Sequence, residues 1–204
     1  EHPDNPEGAY SLEASQNLKR LLESLGVASG SLALNIGYGR NPLDVAGYRV
    51  INVEFQGYVS PSSASGERFH KDFFDSDFNR ELQKQFSLQG PPDVILFYNM
   101  FTYMNIYGPV PALDREGRLQ NVSLYLRRAA EVVRNGGYIL FVDFMPPELG
   151  QRDYMSALKN INSVAWLMRK YLDVTQAVIF EDVNNKLPVA AAFSVGTVVN
   201  SNFK

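Results

Sequence analysis

The stretch Leu32-Ala33-Leu34-Asn35-Ile36-Gly37-Tyr38-Gly39-Arg40-Asn41-Pro42 decides the fold. Its first five residues are a short, nearly continuous apolar run, the pattern of a strand covered on both faces. Gly37 and Gly39 follow at once. Glycine accepts the left-handed backbone of a tight turn and lets another group approach the main chain closely. Asn41-Pro42 can then cap and open a helix, because proline at the first helical position gives up only an N–H that has no partner anyway. Gly47 leaves room for a short helix only. Strand, glycine turn and helix in that order open an α/β unit, whose ligands lie at the carboxyl ends of its strands.

Working outward, Tyr48 to Phe55 reads as the second strand and residues 56–68, rich in Gly, Ser and Pro, as a loop. Phe69 to Phe74 suits a short third strand or its exit turn. A helix is expected over 76–89, with Phe78, Leu82 and Phe86 on one face and Pro91-Pro92 as its stop. Asp93 to Tyr98 is the clearest buried strand. A helix follows over 122–134, with Asn121 as a cap, Val122, Leu126, Ala129 and Val133 facing the core, and Asn135-Gly136-Gly137 ending it. Tyr138 to Phe144 is the next strand, and 151–171 a long helix with Tyr154, Leu158, Ile161, Ala165, Met168 and Leu172 on one side. Val174 to Phe180 and Val189 to Val195 are too close for a parallel crossover and predict an antiparallel hairpin around Asn184-Asn185. Before all of this, residues 1–10 read as an N-terminal arm. Residues 11–25 read as a helix with Leu18, Leu21, Leu22 and Leu25 in one stripe, capped by Ser11 and ended by Gly26. The whole, 1–204, reads as a single domain.

Composition narrows the chemistry. Cysteine is absent and histidine occurs only at 2 and 70, which removes disulfides, thiolate zinc sites and a cysteine nucleophile and leaves no basis for a histidine-rich metal site. No metal is expected. The net charge of -3 disfavours a protein that works by clamping nucleic-acid backbones. No apolar run approaches the roughly 18 residues of a membrane span, and no secretory-leader pattern opens the chain, so a cytoplasmic protein is expected. The phosphate-binding loop ending in Gly-Lys-Ser/Thr, the Gly-x-Ser-x-Gly elbow, His-Glu-x-x-His and the EF-hand loop are all missing.

What remains is a row of residues at strand ends. Gly37 and Gly39 flank Tyr38 after strand one. Glu54, 17 residues beyond Gly37, ends strand two, where a carboxylate can accept hydrogen bonds from both hydroxyls of a ribose. Asp72 is placed at the end of strand three, where it could face an adenine amino group, and Asn99 ends the 93–98 strand. Asp143, at the end of strand five, and His70 are the candidate bases. Each has a plain alternative: a strand-to-helix turn for the glycines, a solvated strand-end residue for Glu54, and a backbone cap for Asn99.

In this order the residues resemble the class I S-adenosylmethionine-dependent methyltransferases, over roughly residues 30–196. Leu34-Asn35-Ile36-Gly37-Tyr38-Gly39-Arg40-Asn41 matches that family's first motif. Glu54 matches its ribose carboxylate, Asp72 in Lys71-Asp72-Phe73 its adenine-side acid, Asn99 its fourth-motif position, and Gly136-Gly137-Tyr138-Ile139-Leu140 its turn and fifth strand. The resemblance implies a Rossmann-like, open, mostly parallel seven-stranded sheet in the order 3-2-1-4-5-7-6. Helices cover both faces and a C-terminal antiparallel hairpin closes it. It also implies S-adenosylmethionine as cofactor, over Gly37, Tyr38 and Gly39 with Glu54 on its ribose, and methyl transfer to a small-molecule or peptide-like acceptor. A nicotinamide or flavin dinucleotide is the runner-up cofactor. Three departures stand out. Asn35 replaces an acid, Asn41 replaces the third glycine, and the helix after the loop is about one turn short. They support an alternative, a catalytically inactive interaction or regulatory subunit with a protein partner.

Overall fold

Parallel pairing of the first two strands organises the N-terminal half. β1 (Leu32–Ile36) and β2 (Arg49–Glu54) run in register from Leu32 against Arg49 to Ile36 against Val53. Residues 33–36 and 50–53 are buried without alternation, so both faces of this pair are covered. The computed structural model describes residues 9–37, 42–54, 66–98, 100, 104, 115–142, 164, 166, 169, 174–181 and 188–195. It divides into two units, Glu1–Asp93 and Val94–Lys204.

In the first unit β3 (Glu67–His70) adds to β2, also parallel, giving the order β3-β2-β1. β3 lies earlier than the expected 69–74. Its register is held by a bidentate ion pair: Arg49 donates from Nε and Nη2 to the Glu67 carboxylate, each at 2.7 Å, and from Nη2 to the Phe86 carbonyl at 3.2 Å. α1 (Ala9–Ser24) begins two residues before the expected Ser11 and buries Leu18 and Leu22. α2 (Phe78–Phe86) is shorter than the expected 76–89. It ends at Ser87, whose left-handed backbone (φ 51°) turns the chain and whose N–H bonds to the Gln83 carbonyl, so the stop precedes Pro91-Pro92. Phe69 meets Phe78 and Phe86 edge-on at 5.3 and 5.9 Å, and Phe73 meets Phe78 at 5.3 Å, which locks α2 against β3. Asp93 closes the unit. Its carboxylate accepts the Leu32 N–H at 2.8 Å, and its own N–H bonds to the Leu32 carbonyl at 2.9 Å.

The short helix expected after Pro42 does not form. Residues 42–45 run without helical structure before a turn at 46–47. Leu43 bonds through both its N–H and its carbonyl to the Asn52 side chain, so neither group is available to a helical ladder.

In the second unit β4 (Val94–Tyr98) pairs parallel with β5 (Tyr138–Val142). β5 pairs antiparallel with β7 (Pro188–Val195), and β7 antiparallel with β6 (Val174–Glu181), giving β4-β5-β7-β6 and the expected C-terminal hairpin. α3 (Arg115–Val132) starts seven residues before the expected 122. Asn121 is therefore a fully buried residue inside the helix and not its cap. Gly117 and Asn121, both weak helix formers, hid these first turns, and burial overrides their propensity. Val122, Leu126, Ala129 and Val133 face the core as expected, and Tyr125 meets Phe97 edge-on at 6.1 Å. Of the expected 151–171 helix only Val164, Trp166 and Arg169 are described; the rest, with the 1–8 arm, lies outside the described residues. Among the described residues no helix is long and apolar enough to cross a membrane.

The Arg49–Glu67 pair makes β3 pairing sensitive to acid. The Arg49 hydrogen bonds hold the Glu67 carboxyl below the usual carboxylate range. A depressed carboxyl contributes stability that is present above the unfolded pKa and is lost as pH falls through the folded one. Glu67→Gln is therefore expected to unfold at lower urea than the wild type at pH 7, and the gap should close as pH falls below about 4.

Candidate functional site at the carboxyl ends of β1, β2 and β3

Parallel strands in register bring their carboxyl ends to one edge, and three of the candidate residues meet there. The Gly37 N–H bonds to the Val53 carbonyl at 2.8 Å, one rung past the end of β1. At that point the backbone turns left-handed, with Gly37 at φ 73°. On the neighbouring strand Glu54 is the last residue of β2 and is half-buried. Its carbonyl accepts the Lys71 N–H at 2.9 Å, and across the ladder it faces His70, the exposed last residue of β3. Adjacent strands lie about 4.8 Å apart, so Gly37, Glu54 and His70 form one row along this edge.

Asp72 stands two residues beyond the end of β3, not at it. Its Oδ1 accepts the Phe74 N–H at 2.9 Å and so shapes the turn toward α2. Lys71 holds the other side of that turn, 2.7 Å from Asp77 and 3.5 Å from Asp75. The Asp77 hydrogen bond raises the Lys71 ammonium pKa and, reciprocally, lowers that of the Asp77 carboxyl. Tyr38, Gly39, Asn99 and Asp143 lie outside the described residues. By chain position Asn99 follows Tyr98, the end of β4, and Asp143 follows Val142, the end of β5.

Beneath the Gly37–Glu54 edge is a buried amide pair. Asn35 and Asn52 are register partners on β1 and β2. The fully buried Asn52 accepts at Oδ1 from Asn35 Nδ2 (2.9 Å) and the Leu43 N–H (2.8 Å). Its Nδ2 donates to the carbonyls of Leu43 (3.0 Å) and Glu67 (3.4 Å). Asn35 Oδ1 is buried with no hydrogen-bond partner among the described residues. Sequence reasoning passed over Asn52. The signal was there: an amide inside the apolar run Val50-Ile51-Asn52-Val53 must find partners in the core.

No family profile and no curated protein matches this chain. Among solved structures it is similar to the S-adenosylmethionine-dependent methyltransferase SibL in its apo form (15% identity, TM-score 0.52, 92% of this chain and 56% of SibL). It is also similar to a possible exported protein from Bordetella parapertussis (13% identity, TM-score 0.51, 90% of this chain and 67% of that one). The chain thus spans little more than half the length of SibL. At such identities the likeness is one of fold, and the parallel strands with flanking helices of this chain are consistent with a Rossmann-like α/β arrangement.

The left-handed turn gives a direct test of the glycine loop. A Cβ at φ 73° costs about 1–2 kcal/mol. Gly37→Ala is expected to lose about that much stability in urea titration, and an unchanged midpoint would mean that the turn is not left-handed in solution.

Proposed function

We propose that the chain is an S-adenosylmethionine-dependent methyltransferase for a small-molecule or peptide-like acceptor. Glu54 holds the cofactor's ribose, and Gly37, Tyr38 and Gly39 pass beneath it. One observation carries the reading: the half-buried carboxyl-end Glu54 of β2 stands beside the left-handed Gly37 that ends β1. The residues fit the group. A carboxylate at a strand end can take two hydroxyl donors, and a glycine turn leaves backbone where a side chain would obstruct. Asp72 on the adenine side, and Asn99 after β4, complete the proposed cofactor contacts. The same reading takes the seven strands as one open sheet, β3-β2-β1-β4-β5-β7-β6, in a single domain.

When bound, the cofactor supplies an electrophilic methyl group on a sulfonium. The chain's part is to position the acceptor and to exclude water, which lowers the barrier without a dedicated base when the acceptor is an amine or an ionised oxygen. For an acceptor that must lose a proton, Asp143 is the proposed base and His70 the second choice. The histidine-poor sequence is compatible with either route.

Residues 42–45 argue against a dinucleotide. A pyrophosphate is held by the N–H groups at a helix N-terminus, whereas this segment is not helical and the Leu43 N–H is taken by Asn52. The neutral Asn35, in place of an acid, favours the inactive interaction subunit as the second reading.

Calorimetric titration separates these readings. S-adenosylmethionine and its demethylated product are expected to bind the wild type, and NAD and FAD to give no heat. Hydrogen bonds to a charged acceptor contribute about 1.5–3 kcal/mol, so Glu54→Gln should weaken binding by about tenfold to a hundredfold. No heat from the methyl donor on the wild type would pass the argument to the interaction subunit.

A further inference from the structure

We propose that the Asn52 side chain is the anchor that closes the Gly37 loop, in place of a helix, and that this anchor requires a neutral hydrogen-bond donor at position 35. Asn52 is then a positioning residue, acting on the loop through Leu43. The loop between the two fixed points is short. Gly37 is tied to the Val53 carbonyl at 2.8 Å, and Leu43 is tied to the Asn52 amide at 2.8 and 3.0 Å. Val53 and Asn52 are adjacent residues of β2, so Gly37 and Leu43, with five residues between them in the sequence, are tied to neighbouring positions of one strand. The anchor copies a strand pairing, because one amide gives Leu43 both an acceptor for its N–H and a donor for its carbonyl.

The surroundings admit Asn52 in one orientation. A Cβ on Gly66, at φ 140°, would come within 3.2 Å of Asn52 Nδ2, so the neighbouring backbone lies close against the amide. Nδ2 faces two carbonyls, those of Leu43 and Glu67, while Oδ1 faces two donors, the Leu43 N–H and Asn35 Nδ2. Turning the amide over would set like against like at all four contacts. Position 35 must therefore present a donor to Oδ1. Asparagine does this, and its own Oδ1 is left without a partner among the described residues as the result. An ionised carboxylate at 35 would meet an acceptor with an acceptor. The neutral residue at 35 and the non-helical 42–45 segment are in this way one linked departure.

The pair offers a discriminating test at position 35. Asn35→Asp sets a carboxylate against Asn52 Oδ1, whereas Asn35→Ala removes the donor and brings no charge. A general core defect exposes the β2 strand amides and Leu43 together; the anchor predicts that Leu43 is lost ahead of them. By amide hydrogen exchange at pH 7, Asn35→Asp and Asn52→Ala should each lose Leu43 protection by about tenfold or more, beyond any loss at the β2 amides. The Asn35→Asp defect is also reversed by acid. Its carboxyl pKa is raised in the folded state, so stability is full below the unfolded value of about 3.9 and is lost as pH rises through the folded value. The protonated group then supplies an O–H donor to Asn52.

Equal loss of protection at Leu43 and at the β2 amides overturns the proposal. So does wild-type Leu43 protection in Asn35→Asp or in Asn52→Ala at pH 7, or failure of Asn35→Asp to fold at every pH while Asn35→Ala folds. The consequence for the cofactor rests on the proposed function: Asn52→Ala should weaken S-adenosylmethionine binding by about tenfold, since the loop must then be ordered on binding. Exchange needs no ligand, so a wild type that binds no methyl donor sinks the proposed function and leaves the anchor to be decided by exchange alone.

Discussion

A polar side chain inside an apolar core must find hydrogen-bond partners there, and Asn52 finds four. Asn35 on β1, Leu43 on the segment returning from the glycine loop, and Glu67 on β3 all converge on one amide at the centre of β2. Without it the buried groups of Asn35 and Leu43 would lose their partner, at a cost of about 1–3 kcal/mol each. The β1–β2–β3 edge depends on this satisfaction. It sets where the loop after β1 rejoins the sheet, and with it the backbone on which any ligand at Gly37 and Glu54 would rest.

Around that centre the forces divide by depth. Apolar strands covered on both faces provide the driving term for burial, and the register is then specified by polar contacts at the margins. Arg49 and Glu67 hold β2 to β3 at the amino ends of the strands, and Asp93 clasps Leu32 at the start of β1. Glu54 and His70 end their strands beside a left-handed glycine, and this is the edge that a ligand-binding reading requires. In an open α/β sheet the carboxyl ends are where ligands lie.

Much of this was legible in the chain itself. The nearly apolar runs 32–36, 94–98 and 138–142, the last read from the sequence as 138–144, announce covered parallel strands, because a strand shielded on both faces can be apolar without alternation. The short spacing between the last two strands forces a hairpin. Gly37 and Glu54 could be picked out because their residue types are restricted, by a left-handed turn in one case and by a charge at a strand end in the other. Element ends were read less well. Asn121 looked like a cap and is buried inside α3, and Pro91-Pro92 looked like the stop of α2, which Ser87 had already turned. A side chain that suits a helix end also suits the interior once its polar atoms are satisfied by packing.

Periodicity and turn chemistry are local properties, and they sufficed for the succession of strands, their parallel pairing near the start of the chain, and Gly37 and Glu54 at the strand ends. Proximity across the sheet is not local. That Asn35 stands opposite Asn52 follows from the β1–β2 register, and a shift of one residue would have turned the two amides to opposite faces. That Leu43 bonds to Asn52 and starts no helix follows from a contact nine residues away along the chain. Sequence alone thus determined the strands and the places of Gly37 and Glu54 at their ends; tertiary structure alone decided how the glycine loop is tied down, because hydrogen bonds between strands depend on register, which no local pattern encodes.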